Sequence, residues 1–117
     1  MANRNADTGR AELLQGTLDL MVLRSLETMG PQHGYAIASR LAQVSEGAIQ
    51  LNMGTLYPAL VRLERQGFVR ATWDITEHNR RARFYRITAA GRRQLKAETR
   101  SWLRVSLAIN RSLEVSS

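Results

Sequence analysis

The side chains best equipped to contact another molecule fall in one run, Asn52-Met53-Gly54-Thr55-Leu56-Tyr57-Pro58. An amide, a hydroxyl and a phenol in close succession supply donors and acceptors, and a glycine leaves the backbone approachable. The run continues as Ala59-Leu60-Val61-Arg62-Leu63-Glu64-Arg65-Gln66-Gly67, in which Leu56, Leu60 and Leu63 form an apolar stripe at helical spacing. A helix of this kind packs by its rear and offers a polar, aromatic front. Asn52 suits the N-cap, and a helix N-terminus attracts phosphate. Asn52 and Thr55 serve equally well as caps alone. Tyr57 suits outward contact and core packing alike.

Arginine is the second chemical resource. The chain carries a net charge of +7, and of its 17 basic residues only Lys96 is lysine. A guanidinium is a planar, forked donor matched to phosphate and to guanine edges. An excess of such charge points to a polyanionic partner, double-stranded DNA above all. A GC-rich genome accounts for part of the arginine preference but not for the charge excess. Arg80, Arg81 and Arg83 cluster near Glu77 and His78 and suit the minor groove, whose negative potential attracts arginine. Arg62, on the side of its helix away from Leu60 and Leu63, either reaches phosphate or a base or pairs with Glu64 or Glu46; Glu64 in turn has Arg65 as a neighbour. In His33-Gly34-Tyr35, His33 suits a helix cap, and Tyr35 suits both core packing and a phosphate contact.

Other chemistries lack their residues. There is no cysteine, only two histidines far apart, no HExxH, no glycine-rich phosphate loop and no paired carboxylates. Enzyme, cofactor and metal roles are therefore not expected. No apolar run approaches the ~20 residues that span a bilayer, and the polar stretch Met1 to Glu12 carries no secretion signal. A cytoplasmic location is expected.

The elements that position these residues can be read from periodicity and breakers. Residues 1–11 are expected to be a disordered tail. Leu13, Leu14, Leu18, Met21, Val22, Leu26 and Met29 mark a first helix, stopped at Gly30-Pro31. A second helix runs from about Tyr35 to Val44, followed by a loop over residues 45–51. The third spans about Met53 to Gln66 and ends at Gly67; Pro58 lies in its first two turns, where proline is best tolerated. Alternation over Phe68 to Asp74 and Arg83 to Thr88 predicts a hairpin with a polar tip over residues 75–82, and Trp73 is expected in the core. Thr88 caps a final helix from Ala89 to about Val115, ~40 Å long at ~1.5 Å per residue. Leu95, Trp102, Val105, Ile109 and Leu113, with Leu103 and Leu107 alongside, give it an apolar face too long for this small body to cover, so a second copy is expected to cover it. The expected fold is mainly α with a small β hairpin: a winged helix-turn-helix over residues 12–88 and a long C-terminal dimerisation helix over residues 89–117. In such folds the second helix of the turn enters the major groove by its N-terminus.

At these residues the chain resembles the PadR family of bacterial transcription regulators. The matching stretches are Gln15-Gly16-Thr17-Leu18, His33-Gly34-Tyr35, Gly54-Thr55-Leu56-Tyr57-Pro58-Ala59-Leu60 with Arg62-Leu63-Glu64, Gly67-Phe68-Val69, and Phe84-Tyr85-Arg86-Ile87-Thr88-Ala89-Ala90-Gly91. They cover about Leu13 to Leu113, and the length resembles the short subfamily that ends in one helix. The resemblance implies a homodimeric repressor on an inverted repeat. It would dimerise through its first and last helices (Leu14, Leu18, Leu95, Trp102, Val105, Ile109, Leu113), read the major groove with the third, and press the wing on the flanking groove. Some short members bind flat aromatic drugs between paired tryptophans of the last helix, and Trp102 holds the matching place. The wing departs from the family: many relatives have a glycine-rich tip, whereas this one reads Glu77-His78-Asn79-Arg80-Arg81.

Sequence-specific DNA binding is thus the leading expectation, with Tyr35, Asn52, Met53, Gly54, Thr55, Tyr57, Pro58, Arg62, Arg80, Arg81 and Arg83 as contacts. Two other functions fit parts of the pattern. One is a winged helix that docks onto another protein; the other is a drug-binding protein, centred on Trp102, with incidental DNA binding.

Overall fold

A computed structural model describes the backbone of residues 2–115 and the side chains of residues 16–114. Its elements are α1 (Ala2–Met29), β1 (Gln32–His33), α2 (Gly34–Val44), α3 (Met53–Arg65), β2 (Val69–Ile75), β3 (Arg81–Ile87) and α4 (Ala89–Val115). This is a winged helix-turn-helix followed by one long helix. No helix among the described residues is long and apolar enough to cross a membrane.

Element boundaries follow from local chemistry. Gly30, at φ +78°, closes α1 with its N–H on the Leu26 carbonyl at 3.0 Å. His33 caps α2, its Nδ1 accepting the Ala36 N–H at 3.3 Å. Asn52 Oδ1 accepts the Thr55 N–H at 2.9 Å to open α3, and Gly67 ends it at φ +79°. Thr88 Oγ1 accepts the Gly91 N–H at 3.0 Å to open α4. These caps stand where the sequence places them.

The core forms where α1, α2 and α3 meet. Val22, Leu23, Leu26, Ile37, Leu41, Leu56, Leu60 and Leu63 are all essentially excluded from solvent. Val69, Tyr85 and Ile87 seal it from the root of the hairpin, and Leu95 of α4 closes the remaining side. The sheet has three antiparallel strands in the order β1-β3-β2. The sequence suggests a two-stranded hairpin; β1 adds a third strand, pairing Gln32 with Tyr85 and His33 with Phe84. At two residues, β1 is too short to show alternation.

Several expectations are corrected. Helix α1 begins at Ala2 and so takes in the segment expected as a disordered tail. That segment holds no proline and includes the helix formers Ala2, Ala6 and Ala11. Leu14 falls outside the described side chains. Leu18 and Leu95, expected at a dimer interface, are buried in the chain's own core, because α4 lies along α1 over its first two turns and beyond. The hairpin tip is shorter than expected, from Thr76 to Arg80. Trp73, expected in the core, is 59% exposed. Its register is inward-facing, but the seven-residue strands outrun the core: Val69, Ala71, Trp73 and Ile75 share one face, and burial fades along it towards the tip.

Candidate nucleic-acid interface

Helix α3 divides into two faces. Leu56, Ala59, Leu60 and Leu63 are buried, whereas Asn52, Gly54, Thr55, Tyr57, Pro58 and Val61 are exposed. Tyr57, for which contact and packing were both open, is 47% exposed. Asn52 and Thr55 form a cap network: besides the backbone bond, Thr55 Oγ1 donates to Asn52 Oδ1 at 3.2 Å. Capping and exposure coexist here, so the polar front of the helix is held in one geometry. Pro58 offers no N–H to the Gly54 carbonyl, a loss least costly this early in the helix. Met53 turns partly inward, packed against the core with its Cε over the backbone at Gly34. Tyr35, at the start of α2, is 73% exposed, so it does not pack inside.

The arginines sort into two groups. Arg80 and Arg81 are exposed at the wing tip. Thr76 organises that tip: its N–H donates to the Arg80 carbonyl at 2.7 Å and its Oγ1 accepts the Arg80 N–H at 3.2 Å. Asn79 takes the left-handed conformation, φ +59°, which asparagine tolerates better than most residues. The turn, which lacks glycine, is built from Thr76 and Asn79.

Arg62 and Arg83 are engaged within the chain. Arg62 is gripped by Asp19 of α1, with Nη2 to Oδ1 at 2.7 Å and Nε to Oδ2 at 3.3 Å. Its partner is therefore neither Glu64 nor Glu46, and the forked bond ties α3 to α1. Arg83 Nη2 donates to Glu64 Oε2 at 3.1 Å, so Glu64 pairs with the wing rather than with Arg65.

Sequence reasoning missed Trp73 as a surface feature. Its ring lies under two cations, with the Arg81 guanidinium 5.1 Å and the Arg83 guanidinium 6.0 Å from the ring centroid. The signal was present in the hairpin register, which sets Trp73 opposite Arg83 and Ile75 opposite Arg81. Tyr85 lies deeper on the same face. Burial pushes its phenol above the usual pKa, reinforced by Tyr57 and Glu64 and opposed by Arg83. Tyr57, Glu64, Arg83 and Tyr85 thus share one electrostatic neighbourhood between α3 and the wing.

On α4, Trp102, Val105, Ile109 and Leu113 are exposed, as are Leu103 and Leu107. Trp102 borders an open groove of about 410 Å³ between α1 and α4, with Leu20, Val105 and Ile109 among its walls. No group of three or more His, Cys, Asp or Glu side chains among the described residues is placed to hold a metal ion.

Comparison with known proteins gives this fold a family. The model of the transcriptional regulator PadR-like family matches residues 22–97. A PadR family transcriptional regulator from Eggerthella lenta is similar over 97% of both chains, with 31% identity and a TM-score of 0.75. A transcriptional regulator from Clostridium thermocellum, 28% identical, has the same TM-score over 86% of this chain and 96% of its own. An uncharacterized protein of Lysinibacillus sphaericus is 27% identical over 105 residues, 90% of this chain and 95% of that protein. The chain belongs to the PadR-like family of transcriptional regulators, which act by binding DNA.

Proposed function

We propose that the protein is a homodimeric repressor that acts in the cytoplasm on an inverted-repeat operator. The observation that carries this reading is the division of α3, whose rear is sealed in the core while Asn52, Gly54, Thr55, Tyr57 and Pro58 stand exposed at its N-terminal half. That half enters the major groove. Tyr35 contacts flanking phosphate, and Arg80 and Arg81 lie along the adjacent minor groove. Met53, partly inward, positions the helix start more than it reads DNA. Arg62, held by Asp19, orients α3 from behind.

The exposed apolar face of α4 supports the dimer. Two copies joined there set two reading helices about 34 Å apart, one turn of DNA. The groove beside Trp102 supports release by a flat aromatic ligand: its volume is within the usual range of small-molecule sites, roughly 300–1,000 Å³, and it sits where a ligand would alter the angle between subunits.

The test is selection of bound fragments from source DNA at near-physiological salt, with Tyr57→Ala in parallel. The expected result is an inverted repeat upstream of one or a few genes, recovered by the wild type and depleted at least tenfold with Tyr57→Ala. Weak, salt-sensitive recovery of all fragments alike would defeat the operator reading, and equal recovery by the variant would remove Tyr57 from the contacts.

A further inference from the structure

Glu64 stands where a carboxylate is least favoured. It lies in the last turn of α3, where unpaired carbonyls carry partial negative charge and attract cations. It also flanks the surface proposed to meet a polyanion. A solvated glutamate there would oppose both the helix dipole and DNA. This one is bound instead: Arg83 reaches across from β3 at 3.1 Å, and the two side chains are 37% and 39% exposed.

The bond is a tether more than an optimised bridge. A guanidinium has five N–H donors, yet Arg83 engages one carboxylate oxygen, and its Nε is buried without a partner. What this geometry achieves is mechanical. The hairpin is anchored at its root by Val69, Tyr85 and Ile87, while Trp73 and Ile75 above them are exposed. Among the described residues, Glu64–Arg83 is the one side-chain hydrogen bond joining α3 to the two wing strands. Arg83 also stands beside the Trp73 ring, which Arg81 faces as well. Arg83, bound to Glu64, and Arg81 thus share one ring on the exposed part of the wing.

We propose that Glu64 is a positioning residue for DNA recognition: by tethering Arg83 it holds the wing in register with the reading helix and keeps Arg83 off phosphate. Two elements held as one body fit a single groove geometry, which favours the operator over other sequences. A wing released from α3 adapts to any duplex, and a freed Arg83 adds a phosphate contact that carries no sequence information. This inference rests on the operator-binding reading.

The experiment measures affinity of the full chain for operator and for unrelated duplex over a salt series. It compares wild type, Glu64→Gln, Glu64→Asp, Arg83→Gln and the double variant Glu64→Gln/Arg83→Gln. Glu64→Gln is expected to bind unrelated DNA more tightly, with log K against log salt steeper by about one per subunit. Its preference for operator is expected to fall roughly tenfold, comparable to the cost of one mismatched base pair in a specific site. Glu64→Asp, which keeps the charge, is expected to keep the wild-type slope. Arg83→Gln should lose preference without steepening. If Glu64→Gln leaves slope and preference unchanged, the tether is overturned. Steepening that persists in the double variant also overturns it, since Glu64 would then act on DNA directly. A purely structural role would lower the melting temperature of Glu64→Gln and leave the slope unmoved, again against the proposal. A wild type without operator preference defeats the operator reading, and the slope on unrelated DNA still decides the role of Glu64.

Discussion

At the scale of single residues, the chain separates cations that hold the fold from cations that face outward, and composition alone cannot make that distinction. Arg62 and Arg80 contribute equally to the +7 charge, yet Arg62 is locked to Asp19 by two bonds while Arg80 is exposed at the tip. Asp19 and Arg62 are 43 residues apart, so no local spacing rule joins them; helix-pair rules reach only three or four positions. The pair is partly buried, with side chains 25% and 32% exposed. A charge-assisted, forked bond in that setting is worth more than the exposed pairs that contribute ~0–1 kcal/mol. Asp19→Asn is therefore expected to lower stability by about 1–2 kcal/mol, read as a reduced urea midpoint with an unchanged slope. Its effect on DNA binding should track the loss of folded protein. A variant of full stability that binds DNA more tightly would mean that Asp19 restrains Arg62 from phosphate rather than bracing α3.

Among elements, the joint between the wing and α4 sets where the long helix points. Thr88 fixes it from three sides: its N–H donates to the Phe68 carbonyl at 3.0 Å, its Oγ1 donates to the Gly67 carbonyl at 2.7 Å, and the same oxygen accepts the Gly91 N–H. Gly91 is buried there, and a Cβ on it would overlap the Phe68 carbonyl oxygen and the Ile87 side chain. Backbone cannot yield as a flexible side chain does, so Gly91→Ala must shift α4 against Phe68 and the end of β3. It is expected to cost about 1–3 kcal/mol and to reduce operator affinity beyond what the stability loss explains, because the angle of α4 changes. Thermal melts and operator titrations of the same variant check both. An unperturbed melt would mean the joint has slack. Caps and stops show why much of the fold was legible: they are local chemistry, and His33, Asn52, Gly67 and Thr88 each make a boundary bond to a residue three positions away. What could not be read were features set by distance in space. Leu95 and Trp102 lie on one apolar stripe of α4 at helical spacing, and only the position of α1 decides that the first is core and the second surface. Trp73 alternates correctly, yet nothing in the strand tells where the core beneath it ends. The polar front of α3 was legible because capping and amphipathicity coincide there; the Glu64–Arg83 bond was not, since it depends on how the hairpin folds back.

At the scale of the whole molecule, the exposed apolar face of α4 is the surface that the proposed dimer would cover. Beyond Leu95 the long helix follows α1 without being covered by it, and it exposes Trp102, Leu103, Val105, Leu107, Ile109 and Leu113. Burying side chains of this size is worth ~1.5–3 kcal/mol each at full burial. A shared interface recovers that term for both protomers, because a two-fold contact counts each residue twice. The core face of the domain is already closed by Leu18 and Leu95, so loss of the partner should leave a folded monomer. Ile109→Asp places a charge within the exposed stripe, at a residue that is neither on α3 nor in the buried core. It is expected to convert the dimer to a monomer by sedimentation at micromolar concentration, with helical content and the core's melting transition retained. Operator affinity should then fall by ~10²–10⁴, the usual loss when two linked half-site contacts become independent, while affinity for a single half-site stays within a few-fold. A monomeric variant that still binds the full inverted repeat as tightly as the wild type would show that the two half-sites are not read by one dimer. A variant that remains dimeric would place the interface on α1 rather than on the outer stretch of α4.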